Sequence, residues 1–255
     1  MRNILAIAQK EIRSYFVSPI AYIVIGMFAL LYGWFYSVML QFFVRQGINM
    51  SMMGGQQVLN INQDMLRPVL QNVTVLLLFV LPALTMRTYS EERRSGTIEL
   101  LLTSPVSDFQ IIMGKFIGAL TLYAVMLSVT FIHVGLLFVY SNPEWKPIAT
   151  SYLGLLLLGG SFLSIGLFIS TLTTNQIVAY ISTFSVFLFL WVINWIGSFS
   201  SGWIADLTGY LSVIDHFDDF SKGVIDTTHL IYYLSLITFG LFLTMKSVDT
   251  ERWRG

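Results

Sequence analysis

The chain has 255 residues, of which 55% are hydrophobic and only 11% are charged, and its formal net charge at pH 7 is +0. Soluble domains carry about 25% charged residues, so most of this protein's surface must face lipid. The neutral balance gives no electrostatic reason to expect a nucleic acid or an acidic substrate as partner. The absence of cysteine excludes disulfides, thiolate metal sites and cysteine nucleophiles.

Residues 2–17 predict an amphipathic helix that is too polar to span a bilayer. Its apolar side chains recur at helical spacing, as in a helix that lies in the membrane surface; an ordinary helix packed on protein is the alternative. No small-residue cleavage site follows Arg2, so we expect no cleaved signal peptide. The apolar positions are Ile4, Leu5, Ala8, Ile12, Tyr15 and Phe16.

Six further segments are apolar over the ~20 residues that a membrane-spanning helix needs. Proline marks the start of the first two, at Pro19 and Pro68. Residues 197–227 mix aromatic and acidic side chains, which predicts short outer helices rather than a free linker. We therefore predict an all-α integral membrane fold that forms a single domain over residues 1–255. The predicted spans are residues 20–44, 69–86, 116–140, 148–172, 176–196 and 228–245.

The lysine and arginine residues predict the orientation of these spans. With the N-terminus inside, ten of them lie on the inner side and four on the outer side. The positive-inside rule therefore places both termini, the 87–108 loop and the 171–176 turn in the cytoplasm.

Motifs for catalysis and nucleotide binding are missing from the sequence. Gly114 and Lys115 resemble the end of a phosphate-binding loop, but Phe109 stands where its first glycine should be. His133 lies within a predicted span and is either a functional residue or a neutral side chain bonded to a neighbouring helix. His216 lies among aspartates, at a spacing that fits no metal site. We predict no catalytic, cofactor-binding or metal-binding residue in this chain.

The segment 89–105 combines charged residues with an apolar run on the cytoplasmic side. A short amphipathic helix that docks in a groove of a soluble partner would have this composition. Gly96 would permit a tight entry into that helix. The predicted contact residues are Glu91, Glu92, Arg93, Arg94, Ser95, Gly96, Thr97, Glu99, Leu101 and Leu102, with Leu101 and Leu102 as buried anchors and the charges at a polar rim.

Three segments together resemble ABC-2 type permeases. EERRSGTIELLLTSPVS (91–107) resembles their loop between the second and third spans, which forms the coupling helix that docks on the ATPase subunit. SIGLFISTLTTNQIVA (164–179) resembles their turn between the fourth and fifth spans, a smaller ATPase contact that would include Thr173 and Asn175. FDDFSKGVIDT (217–227) resembles their outer segment before the last span. The likeness is greatest to gliding-motility permeases, with nitrous-oxide-reductase copper-maturation permeases as near relatives.

The resemblance implies a non-enzymatic permease subunit, multi-pass in the bacterial cytoplasmic (inner) membrane. It would couple ATP hydrolysis in a separate ABC ATPase, which would hold the ATP and Mg, to export or to mechanical transmission as in gliding motility. A second permease copy or a related permease, an accessory outer-facing subunit and the lipid bilayer are the other implied partners, with no nucleic acid. The implied outer-segment residues are Trp203, Tyr210, His216, Phe217, Phe220 and Gly223.

Two alternatives remain open for the function. An ion-coupled secondary transporter would need carboxylates at mid-membrane, and the predicted spans contain none. A membrane scaffold without transport is the other alternative. The sequence does not identify a transported substrate.

Overall fold

A computed structural model describes residues 2–52, 59–98, 106–199 and 202–252. Within these ranges the secondary structure is helical and contains no strand, and six helical segments are long and apolar enough to cross a membrane. These findings confirm the predicted all-α integral membrane fold. The six segments are Pro19–Met52, Ile61–Ser95, Asp108–Tyr140, Trp145–Thr171, Gln176–Gly197 and Thr227–Thr250.

The helices are numbered here in chain order over the described residues. They are α1 (Arg2–Val17), α2 (Pro19–Met52), α3 (Arg67–Thr85), α4 (Ser90–Ser95), α5 (Asp108–Ser128), α6 (Phe131–Tyr140), α7 (Trp145–Thr171), α8 (Gln176–Ser198), α9 (Trp203–Leu211), α10 (Val213–Ser221) and α11 (Thr227–Arg252). A π-helical turn, Ile61–Leu66, leads into α3.

Several helices begin at capping residues that can be read from the sequence. The side chain of Ser107 accepts a hydrogen bond from the backbone nitrogen of Gln110 at the start of α5. Ser212 accepts one from the backbone nitrogen of Asp215 and so caps α10. Such bonds satisfy backbone donors that have no partner within the helix, which is why these helices begin where they do.

The core of the protein is built around α3 and α7. In their most apolar stretches 67% and 72% of the residues are buried, against 22% in the first, fifth and sixth spans. Hydroxyl groups join the central helices to their neighbours: Ser161 of α7 donates to the carbonyl oxygen of Tyr233 in α11, and Tyr123 of α5 donates to that of Leu155 in α7. Such bonds hold helices together where lipid supplies no hydrophobic driving force.

The outer faces of the peripheral spans are apolar. Leu30 of α2 is 77% exposed, and Phe189 of α8 and Phe239 of α11 are more than half exposed. Apolar surface of this extent is expected where a protein faces lipid or another membrane subunit. The protein is therefore a multi-pass membrane protein.

Candidate functional site

Helix α4 follows the second span, where the sequence predicts the partner-binding segment. The chain leaves α3 at Thr85, turns tightly and enters α4 at Ser90. The hydroxyl oxygen of Ser170, near the end of α7, accepts hydrogen bonds from the backbone nitrogens of Tyr89 (3.0 Å) and Ser90 (3.2 Å). Because these donors would otherwise lack partners, the two bonds fix the start of α4 against the fourth span.

The outward surface of α4 carries charged and polar residues of the predicted contact. Glu91 and Arg94 are exposed, and Arg93 is half-buried. Glu91 also forms an ion pair with Arg87 at 2.8 Å. The next three residues, Ser95, Gly96 and Thr97, are exposed as well. The remaining predicted contact residues, Glu99, Leu101 and Leu102, lie outside the residues that the structure describes, so their role stays a prediction.

Gly96 lies at the end of α4. Its φ of +70° is a left-handed conformation that glycine adopts without strain, and it closes α4 as a C-cap. Helical residues resume at Thr97 and Ile98. Gly96 therefore ends α4 and stands directly before the resumed helical residues, and its predicted role as the entry into a docking helix stays a prediction.

Glu92 points into the protein, which corrects its predicted position on the polar rim of the contact. Its carboxylate lies 2.8 Å from the ammonium nitrogen of Lys115, at the start of the third span. That nitrogen also lies 3.0 Å from a carboxylate oxygen of Glu11 in α1 and 3.0 Å from the carbonyl oxygen of Thr88. We call Glu11, Glu92 and Lys115 the inner cluster.

The inner cluster is shielded from solvent. The side chain of Lys115 is 1% exposed, and those of Glu11 and Glu92 are 12% and 17% exposed. The ammonium group has three N–H donors, and its three acceptors match that number. The nitrogen also lies 4.9 Å from the ring centre of Tyr89, which adds a cation–π contact. This one side chain thus links α1, α4 and α5.

Helix α1 docks on α5 beside the inner cluster. A Cβ atom at Gly114 would lie 2.6 Å from the Cβ atom of Ile7, and one at Gly118 would lie 2.8 Å from that of Glu11. Because atoms cannot approach so closely, glycine at both positions is what allows the two helices to pack. Tyr15 completes the contact by donating to a carbonyl oxygen of α3, and burial raises its pKa to about 12.

The packing of α1 bears on the two interpretations of residues 2–17. Ala8, Glu11 and Tyr15 are buried against protein, as the alternative interpretation expects for one face. Leu5 remains exposed on the apolar side, where a membrane surface would cover it. Packing on protein is therefore established for one face, and a position in the membrane surface stays a prediction.

Sequence reasoning considered Lys115 only as the end of a phosphate-binding loop and did not consider Glu11, although a signal for a buried pair exists at each. Glu11 shares a helix face with Ala8 and Tyr15, an apolar setting in which a carboxylate needs a buried partner. Lys115 lies at the start of an apolar span, next to Gly114 in a G-x-x-x-G pattern that indicates close helix packing.

The turn between α7 and α8 carries the second predicted contact. The side-chain oxygen of Asn175 accepts a hydrogen bond from the backbone nitrogen of Ile177 at 2.9 Å and so caps α8. The hydroxyl oxygen of Thr173 accepts one from the backbone nitrogen of Asn175 at 3.1 Å. Asn175 and Leu172 are exposed. The turn is therefore a fixed connection that presents both an apolar and a polar side chain.

The structure brings the two predicted contacts together. Arg93 of α4, Leu172 of the turn and Lys246 near the end of α11 line one groove, which we call the inner groove. The hydroxyl of Thr171 donates to that of Ser247 at 2.8 Å and ties α7 to α11. The ends of the second, fourth and sixth spans therefore meet at a single surface.

The predicted outer segment forms α9 and α10, as expected for short helices before the last span. Phe217 and Phe220 are buried in the core, whereas Trp203 and Tyr210 are exposed. Gly223, at a φ of +92°, follows α10 and lies against the start of α7. This part of the chain is a packed cover over the fourth span.

Ion pairs hold this cover in place. A carboxylate oxygen of Asp218 accepts a hydrogen bond from Arg67 at 2.5 Å, and Lys222 lies 2.7 Å from Asp218 and 3.1 Å from Asp219. The ring of His229 lies 2.9 Å from Asp219. We call Arg67, Asp218, Asp219, Lys222 and His229 the outer cluster.

The outer cluster shifts the titration of its carboxylates. Burial opposes the ionisation of Asp218, but hydrogen bonds from Lys222 and Arg67, together with their charges, outweigh it and lower the pKa of Asp218. Hydrogen bonds from His229 and Lys222 lower the pKa of Asp219. Both carboxylates therefore stay ionised to lower pH than isolated ones.

His216 and His133 take part in packing. His216 is buried, which lowers its pKa; its Nδ1 lies 2.8 Å from the carbonyl oxygen of Ser212, and its ring stacks on Tyr232. Among the described residues, no group of His, Cys, Asp or Glu is arranged to hold a metal ion. The ring of His133 lies edge-on to Tyr32 at 5.2 Å and so joins the third span to the first. A functional role for His133 stays a hypothesis.

Comparison with known proteins places this architecture in a family. The model of the ABC-2 family transporter proteins matches residues 5–245. Two curated relatives, both named probable multidrug ABC transporter permease YbhR, come from Escherichia coli strain K12 and Escherichia coli O157:H7, and each is 30% identical over 146 residues. This similarity covers 55% of the chain but only 38% of the length of each relative. Because the family match covers nearly all of the described helices, the chain belongs to the ABC-2 family of transporter proteins.

Proposed function

We propose that this chain is the permease subunit of an ABC transporter and that a separate ATPase binds the inner groove. The observation that carries the proposal is the meeting of α4 and the α7–α8 turn at that groove. These are the two segments whose sequences resemble ATPase contacts of the family, and they lie far apart in the chain. A single partner could therefore touch both at once. Without motifs for nucleotide binding, this chain would act as a non-enzymatic subunit.

The groove offers a chemically mixed surface to such a partner. Leu172 is 58% exposed and supplies apolar area, while Arg93 and Lys246 supply positive charge. Arg94 and Glu91 of α4 are also exposed. In protein interfaces apolar anchors supply most of the affinity, and rim charges mainly set orientation and the rate of encounter. The groove has both components.

Movement of the ATPase would reach the centre of the membrane domain by short connections. Helix α4 follows α3 after one tight turn, and its first residues bond to Ser170 of α7. Because α3 and α7 form the core, displacement of α4 would shift the two central spans together. We propose that ATP binding produces this rigid-body movement and opens a pathway at the interface with a second permease subunit.

We propose two candidate tasks for this movement. The name of the Escherichia coli relatives, probable multidrug ABC transporter permease, favours export of small compounds. The likeness to gliding-motility permeases gives a second hypothesis, in which the same movement drives motility. Drug accumulation and surface movement in cells that lack the chain would separate the two.

The secondary-transporter and scaffold alternatives make different predictions. A secondary transporter would need an ion gradient and no ATPase. A scaffold would bind the ATPase without changing its turnover. ATP hydrolysis that rises when this permease and a transported compound are both present in liposomes supports the permease proposal.

Co-purification tests the proposed contact directly. The tagged permease would be co-expressed with its ABC ATPase, and the retained ATPase would be quantified. Leu101→Ala with Leu102→Ala should weaken retention by about 2 kcal/mol or more if these residues are anchors. Arg94→Glu should have a smaller effect, because it lies at the rim.

A control is needed on the opposite side of the membrane. Lys146 is exposed at the start of α7, whereas Leu172 of the groove follows the end of the same helix. The Lys146→Glu variant should therefore retain the ATPase as the unsubstituted protein does. Full retention by the Leu101/Leu102 variant, by Arg94→Glu and by a Leu172→Glu variant would contradict docking at the inner groove.

A further inference from the structure

The inner cluster is a costly arrangement for a membrane protein of this kind. Lys115 is 1% exposed, and its ammonium group is held by carboxylates from α1 and α4 and by the carbonyl oxygen of Thr88. Removing such charges from water costs several kcal/mol per ion, and a well-packed apolar group of similar volume is often equally stable. Stability alone therefore does not explain a buried ion cluster at this position.

The contacts of Lys115 divide between two elements of the chain. On one side Glu11 belongs to α1, which also packs on Gly114 and Gly118 of α5. On the other side Glu92 and the Thr88 carbonyl belong to the segment that leads through α4. Helices α1 and α4 each contact Lys115, and the exposed Lys10 of α1 also lies 3.6 Å from Glu92. The buried Tyr15 of α1 bonds to Leu84 at the end of α3 and not to α4 itself. Lys115 is therefore the buried link between them.

We propose that Lys115 is a positioning residue that makes α1, α4 and the start of α5 move as one body when the ATPase displaces α4. The inference rests on the proposed function, because it takes α4 to be the element that the ATPase moves. It adds α1 and the third span to the parts that receive this movement directly. Without the link, displacement of α4 would reach α1 only indirectly, through α3 and its bond to Tyr15.

A neutral version of the cluster separates this role from simple support of the fold. Breaking one partner leaves buried charges unpaired, which destabilises the protein whatever its mechanism. The triple variant Glu11→Gln/Glu92→Gln/Lys115→Met removes all three charges and keeps the side-chain sizes, so it should fold and bind the ATPase. If Lys115 only supports the fold, this variant should behave as the unsubstituted complex does.

The measurement is the distance between spin labels on α1 and α4 in the permease–ATPase complex, with and without Mg-ATP. Gln9 and Ser95 are exposed, and the chain has no native cysteine to compete for the labels. A second pair, Ser95 and Val224, reports movement between the inner and outer sides. Quantified retention of the ATPase by each labelled protein accompanies the distances.

The expected result has three parts. In the unsubstituted complex Mg-ATP changes the Ser95–Val224 distance and leaves the Gln9–Ser95 distance unchanged. In the triple variant Mg-ATP changes the Gln9–Ser95 distance, and permease-stimulated ATP hydrolysis falls about tenfold, the size of an ordinary coupling free energy. The control Lys10→Met removes an exposed charge 3.6 Å from Glu92 and leaves both readouts unchanged.

Three outcomes would overturn the inference in distinguishable ways. A Gln9–Ser95 distance that changes in the unsubstituted complex shows that α1 and α4 do not move as one body. A triple variant with unchanged distance and hydrolysis shows that Lys115 only supports the fold. Failure of the unsubstituted permease to retain the ATPase overturns the proposed function and the inference with it.

Discussion

The inner and outer clusters join helices by the same kind of interaction but in different surroundings. The inner cluster centres on Lys115, which is 1% exposed, and links α1, α4 and α5. The outer cluster centres on Asp218 and Lys222, which are 32% and 44% exposed, and links α10 to the start of α3. Buried charges are expensive to separate, whereas exposed ones are screened by water and salt. The inner connection should therefore be rigid, and the outer one adjustable.

This contrast fits the tasks proposed for the two sides. A connection that transmits movement from an ATPase has to keep its geometry under load. A cover on the outer side of a transport pathway has to open and close. If burial makes this difference, substitutions in the inner cluster should have larger effects than matched ones in the outer cluster.

The largest effect is expected from Lys115→Met. It leaves Glu11 and Glu92 buried without their partner, which should cost about 3–5 kcal/mol of unfolding free energy. Thermal unfolding of the detergent-solubilised protein measures the loss. Lys222→Met makes the same chemical change in the outer cluster and should leave the unfolding temperature nearly unchanged. Equal losses in the two variants would show that burial does not distinguish the clusters.

Gly114→Ala tests the packing that seats α1 beside the inner cluster. The added Cβ atom would lie 2.6 Å from Ile7, so α1 must shift, at a cost of about 1–3 kcal/mol for overpacking. Trypsin cleavage after Lys10 and Arg13 should then become faster. Gly135→Ala is the matched control, because a Cβ atom there has no neighbour within 4 Å. Equally slow cleavage in both variants would contradict close packing of α1 on α5.

Asp218→Asn should have a smaller effect than the changes at the inner cluster. It weakens the pairs with Arg67 and Lys222, which are partly exposed, so a loss of roughly 1 kcal/mol or less is expected. The loss should shrink in ~1 M salt, where the Debye length is about 3 Å. Thermal unfolding at low and high salt measures this, with Lys115→Met as the salt-insensitive comparison. If the loss of unfolding free energy did not depend on salt, Asp218 would behave like the buried ion pairs, and the contrast between the clusters would be contradicted.

Acidification should affect the outer cluster only at low pH. The folded-state pKa of Asp219 is lowered, so its stabilising effect is complete above the ordinary carboxyl pKa of about 3.9 and is lost as pH falls through the lower folded value. As the pH falls below about 4, the unfolding free energy of the unsubstituted protein should therefore decrease more steeply than that of the Asp219→Asn variant. Parallel pH profiles of unfolding temperature would contradict this assignment.

The spans could be predicted from sequence, because lipid demands long apolar runs that the sequence shows directly. The short outer helices could be predicted as well, since residues 197–227 mix aromatic and acidic side chains and are too polar to span a membrane but too apolar for a free linker. Both signals are local. They need no knowledge of which helices pack together.

The inner cluster could not be predicted in the same way. Glu11 and Lys115 are separated by 104 positions, and only the packing of α1 on α5 brings them together. The inward direction of Glu92 could not be predicted for the same reason, because its partner Lys115 lies on another helix. Composition alone indicated a rim charge. Gly96 was recognised as a turn residue, but the sequence did not show that it also ends α4.

Site-specific cross-linking tests most directly the claim that the ATPase docks on the surface formed by α4 and the α7–α8 turn. A photoreactive residue would replace Arg94 of α4, Leu172 of the turn or, as a control, Lys222 of the outer cluster in the permease–ATPase complex. We predict adducts that contain the ATPase from positions 94 and 172 and none from position 222. An ATPase adduct from position 222, or none from either inner position, would contradict the account.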